Sequence, residues 1–147
     1  MKHEHSAEDV LRKRASDAGA LIRTEFDAPD GIFAYFASMP PEAELEYLRL
    51  TLDDVAAGPD TLRREAQATA DGDVSPIERK TANMKMQYPA LYDALVAARN
   101  RAWLPRMDTM ITSRARGFIV VGSGHLVGED GLLRLLESDG YTVATGN

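Results

Sequence analysis

The stretch that most constrains this chain is Phe118 to Val143, FIVVGSGHLVGEDGLLRLLESDGYTV, where strand, turn and helix signals follow one another. The apolar, β-rich run Phe118-Ile119-Val120-Val121 predicts a strand that Gly122-Ser123-Gly124 brings to an end. Leu132, Leu133, Leu135 and Leu136 then predict a helix over Asp130 to Glu137, closed by Gly140, after which Tyr141-Thr142-Val143 can return as a strand. In that order His125 sits just past the carboxyl end of the first strand, where open α/β sheets bind their ligands.

Upstream, Ala20-Leu21-Ile22-Arg23-Thr24-Glu25 reads as another strand, ending on a carboxylate. The remaining periodic segments are helical. One runs over roughly Ala7 to Ala18, with a weak capping box at Ser6 and Asp9 and a stop at Gly19. A longer one starts at Pro40-Pro41 and carries Leu45, Leu48, Leu52 and Val55 on one stripe until Gly58-Pro59. Others follow at Leu62 to Ala70, capped by Asp60 or Thr61, from Ser75 onward, and from Pro89 to beyond Met107. The expected fold is therefore α/β to α+β: a small sheet from 20–25, 118–121 and 141–144, with about five to seven helices packed against it. Residues 1–19 are read as an N-terminal helix with a polar terminus, and residues 20–147 as the body of the domain.

Bulk properties narrow the function. A chain of 147 residues supports one core. Its 44% hydrophobic and 27% charged content is that of a soluble globular protein. A net charge of −6 argues against a nucleic-acid partner, and Arg12-Lys13-Arg14 is set among acids as a solvated face. With no cysteine there is no disulfide, thiolate metal site or cysteine nucleophile. Neither a signal peptide nor a membrane span is visible, so the default expectation is a cytoplasmic protein with no membrane partner. His3-Glu4-His5 lies in a polar terminal stretch and reads as a frayed end. Asp71-Gly72-Asp73 lacks the ligand ladder of a calcium loop and reads as a turn.

One residue stands out on the long helix. Counting Leu91, Leu95, Arg99, Trp103 and Met107 as a stripe places Arg99 inside an apolar row. A guanidinium stays charged, and leaving it buried without a partner would cost several kcal/mol. It therefore needs a fixed carboxylate, a substrate anion, or an escape to water along its own stem. Asn100, one step round the helix, is expected to fix backbone or loop geometry. Pro105 is expected to bend or shorten the helix.

The ordered set Arg99-Asn100, Gly122-x-x-His125-Leu126, Gly128-x-x-Gly131-Leu132 and Gly140-Tyr141-x-Val143 resembles the C-terminal signature of the TraB/GumN family, bacterial relatives of the Tiki proteases. The resemblance runs from about Ala20 to Val143 and corresponds to the second half of the family's domain. It implies a metal-dependent hydrolase, peptidase-like in substrate class, in which two Gly-x-x-His motifs and glutamates surround a divalent ion such as manganese, cobalt or zinc. On this resemblance His125 and Glu25 are the metal candidates, Arg99 and Glu25 the catalytic ones, and Gly122 and Gly124 the cofactor-binding positions of the turn. Read without it, Glu25 is an exposed acid at a strand end.

Gly122, Gly124 and Gly128 miss the dinucleotide pattern by one place, since Val127 stands where the third glycine belongs. A first Gly-x-x-His motif is missing from this sequence. The expectation is a half-site, inactive alone, that gains its missing half from another chain; the alternative is a non-catalytic binding or scaffold domain. A homodimer, or a complex with a chain carrying the first half, is the expected assembly, because strands without neighbours leave an apolar edge.

Overall fold

The computed structural model describes residues 7–26, 28, 30–113 and 117–144. His3, His5, the Ser6 cap and parts of the turn at 27–31 lie outside them. The chain divides into two compact units, Met1–Ser38 and Met39–Asn147.

In the first unit, α1 (Ala7–Asp17) ends at Gly19, whose φ of 66° only glycine adopts without strain. The segment 20–24 follows without regular structure, and Glu25 sits half-buried in a bend. Helix α2 (Gly31–Ala37) carries the aromatic run; Phe26 and Tyr35 meet with ring centroids 5.9 Å apart, while Phe33 stays exposed. Gly31 is required by close approach, since a Cβ there would stand 2.6 Å from that of Phe26.

The second unit is built from α3 (Pro41–Ala57), α4 (Pro59–Ala70) and α5 (Ser75–Gln87), followed by α6 (Pro89–Tyr92), a π-helical turn at Asp93–Ala97, and α7 (Ala98–Thr112). A 3₁₀ turn at Ser123–His125 and α8 (Leu132–Ser138) complete it. Proline at the first turn of α3, α4, α5 and α6 forgoes an amide that has no helical acceptor there. Glu46 on α3 accepts the amide of Leu91 at 2.8 Å and so caps α6 from a neighbouring helix. Lys80 on α5 reaches Asp54 on α3 at 3.2 Å and Glu65 on α4 at 3.6 Å. The buried centre comprises Tyr92, Val96 and Ala97 with Met84 and Leu95 against them. Pro105 neither ends nor shortens α7, which continues to Thr112.

The expected sheet is not formed. Among the described residues there are no strands, and the fold is all-α rather than α/β or α+β. Residues 117–122 and 141–144 are non-helical, and no backbone hydrogen bond ties Phe118 to Val121 to another described segment. Apolar β-branched residues favour an extended chain, but a strand is made by its ladder partner. With none present, Phe118 remains 78% exposed. Helix α3 departs from expectation as well. It packs through Ala43 and Glu46, while Leu45, Leu48, Leu52 and Val55 point away and are all about half exposed or more.

Candidate functional site

The π-helical turn decides which residue of the long helix enters the interior. At 3.6 residues per turn, Asn100 would stand roughly 180° round the axis from Leu91. The extra residue of a π-helical turn retards the rotation by about one residue, roughly 100°, and carries Asn100 onto the face of Leu91 and Tyr92. Asn100 is 0% exposed and Tyr92 4%. The counted row therefore misplaced its polar member. Arg99 is half-buried, its guanidinium lying 5.0 Å over the Trp103 ring and donating to the Leu95 carbonyl at 3.3 Å.

The buried carboxamide holds the loop that carries His125. Asn100 Nδ2 donates to the carbonyl of Asp130 at 2.6 Å and to that of His125 at 3.1 Å, and its Oδ1 lies 2.7 Å from His125 Nδ1. Trp103 meets the imidazole with centroids 4.7 Å apart and rings tilted by 50°. Arg99, Trp103 and His125 thus form a sequence of neighbours in which the indole stands between guanidinium and imidazole.

Local geometry explains the glycine motif. Gly122 is extended and its carbonyl accepts the His125 amide at 2.9 Å, closing the 3₁₀ turn. Gly128 has a φ of 79°, and a Cβ on Gly131 would come within 2.7 Å of the carbonyl oxygens of both Leu126 and Val127. Gly124 has room: its Cβ would sit an ordinary 3.7 Å from Thr81 Oγ1 on α5. Leu132, 2% exposed, then anchors α8.

Beside this loop stands a charged group. Asp130 accepts from Lys85 at 2.8 Å and from the Tyr92 hydroxyl at 3.0 Å, with Arg101 at 3.8 Å. The Lys85 hydrogen bond, then the Tyr92 bond, hold the Asp130 carboxyl below the usual carboxylate range. Hydrogen bonds to Asp130 and Glu129 raise Lys85 above its ordinary value. Burial first, and the bond to Asp130 second, push Tyr92 up to about 12. Lys85, Tyr92, Trp103 and Asp130 were not among the candidate site residues read from the sequence.

Of the expected site residues, Arg99, Gly122, Gly124 and His125 belong to the second unit, and Glu25 to the first. Among the described residues no group of three or more His, Cys, Asp or Glu side chains is placed to hold a metal ion. No described helix is long and apolar enough to cross a membrane.

Fold and site together define a helical body presenting one oriented histidine on a glycine-rich turn. The sequence matches the TraB/PrgY/gumN family over residues 1–145, and the chain belongs to that family. The match takes in nearly the whole chain, α1 included, where the resemblance had been expected to start near Ala20. No curated protein and no solved structure matches it.

Proposed function

We propose that this chain supplies one arm of a divalent-metal hydrolase centre of peptidase-like class, completed by a second polypeptide. The observation that carries this reading is the seating of His125: a half-buried imidazole on a tight turn, gripped by a fully buried asparagine. Imidazole is a ligand of choice for first-row divalent ions.

The residues present fit such an ion only in part. His125 offers a nitrogen, but no three-ligand group is assembled among the described residues. No hydrolytic step is therefore assigned to this chain alone. When bound, the ion would supply Lewis acidity and an activated water. The chain's own contributions would be His125 as a ligand, the turn backbone at Gly122 and Gly124, and Arg99 as a cation toward developing negative charge. A polypeptide carrying the first Gly-x-x-His motif is the partner proposed. The uncovered stripe on α3 and the non-helical segment Phe118 to Val121, both apolar, support a partner that brings an apolar face and a strand. The second reading is a binding or scaffold domain without turnover.

Calorimetry with manganese, cobalt and zinc on wild type and His125→Ala, with and without the partner half, tests the first reading. It requires heat that disappears in His125→Ala. Identical titrations of both proteins under both conditions would leave the scaffold reading. Sedimentation of the purified chain tests the partner: a monodisperse, stable monomer with no affinity for the added half would refute it.

A further inference from the structure

We infer that Asn100 is a positioning residue that fixes the protonation geometry of His125, holding the proton on Nδ1 so that Nε2 carries the lone pair. The inference follows from donor and acceptor inventory. The carbonyl oxygens of His125 and Asp130 can only accept, and both lie within hydrogen-bond distance of one end of the Asn100 carboxamide, at 3.1 and 2.6 Å. That end must be the NH₂ group, because an oxygen there would face two oxygens. The other end is then the oxygen, an acceptor only, and His125 Nδ1 stands 2.7 Å from it. A neutral imidazole has one N–H, and this contact requires it at Nδ1.

The ring is held on its remaining sides. Trp103 covers a face at a centroid distance of 4.7 Å. On the other edge Cδ2 is turned toward Gly122, 3.7 Å from where a Cβ would be. Flipping the ring would replace the Nδ1 contact with a carbon. Histidines that bind metals are commonly oriented by a carboxylate or a backbone carbonyl at the second nitrogen. Here a carboxylate would serve the imidazole but would oppose the two carbonyls. A carboxamide alone satisfies all three groups, which is a chemical reason for asparagine at this position. The same side chain ties the turn bearing His125 to the start of α8, so ring orientation and loop position are set together.

The assignment of the proton stands on these distances; its use, a lone pair aimed at a divalent cation, rests on the function proposed above. The test is nitrogen-15 NMR on the full chain carrying His3→Gln and His5→Gln. The sequence has three histidines, so this leaves His125 alone in the spectrum. At a pH where the ring is neutral, Nδ1 should show the protonated, pyrrole-type shift and Nε2 the unprotonated, pyridine-type shift. A spectrum with the assignments exchanged, or averaged over both, overturns the inference on the wild-type site alone. Asn100→Ala should convert the single form to an averaged mixture; an unchanged single form there would also overturn it.

Zinc added to the same sample separates the two proposals. A shift at Nε2 with Nδ1–H retained supports both. No response to zinc with the completing partner present, in a protein whose proton is on Nδ1, sinks the metal reading and leaves the role of Asn100 standing.

Discussion

Replacing Asn100 with alanine should destabilise the second unit by about 3 kcal/mol. The substitution leaves three polar groups without their partner: the carbonyls of His125 and Asp130, and His125 Nδ1. A buried polar group that loses its partner costs about 1–3 kcal/mol. Because His125 and Asp130 are only half-buried, water can regain part of each bond, which sets each contribution near the lower end. In a unit spanning Met39–Asn147 the total corresponds to a fall in Tm of roughly 13 °C. The chain has a single tryptophan, Trp103, which touches His125, so its emission during urea or thermal unfolding reads the site directly. Asn100→Asp should be at least as damaging despite its equal size, since it sets an acceptor against two carbonyls. If Asn100→Ala unfolds within about 0.5 kcal/mol of wild type, the loop is not held by this side chain and the reasoning fails.

Deleting Ala94 should return the π-helical turn to α-helix and leave Asn100 facing the interior, because eight residues at about 100° from Leu91 give the same facing as nine with one residue's rotation lost. Trp103 emission and the His125 NMR signals should then stay close to wild type, whereas a change like that of Asn100→Ala would show that the extra residue does not set the facing of Asn100. Gly131→Ala should cost about 1–3 kcal/mol because its Cβ meets two carbonyl oxygens, while Gly124→Ala should stay within about 0.5 kcal/mol; chemical denaturation of the pair checks the contrast. Asp130, held below its ordinary 3.8, contributes stability that is complete above that value and is lost as pH falls through the lower folded one. Asp130→Asn should therefore flatten the acid limb of a stability profile below about pH 4, and should lower the Tyr92 phenol from about 12 without restoring it fully, because burial remains. Ultraviolet titration of tyrosinate shows whether it does. Leu52→Lys, on the outward stripe of α3, should leave the isolated chain as stable as before and abolish binding of the partner half in sedimentation; a large stability loss would mean the stripe is already covered.

Local signals proved a good guide wherever the determinant itself was local. Pro41 and Gly58 bound α3 where the sequence predicts, and Gly19 closes α1. Ser75 starts α5 as expected, and the leucines of the last helix specify α8. Asn100 was legible as a residue that fixes loop geometry. Helix α4 starts at Pro59, ahead of the expected Leu62, because proline serves as its first residue. What failed were the elements that need a distant partner. Phe118 to Val121 and residues 20–25 have strand composition, but neither segment finds a ladder among the described residues.

The amino-acid order by itself settled the helical punctuation, the glycine turn before His125 and membership of the TraB/PrgY/gumN family, because each depends on residues adjacent or nearly so along the chain. Tertiary structure alone decided that Asn100 rather than Arg99 occupies the interior, that the leucine stripe of α3 faces outward, and that Asp130 meets Lys85 and Tyr92. A helical wheel assumes a constant rotation per residue, and one inserted residue in a π-helical turn is enough to exchange neighbours on it.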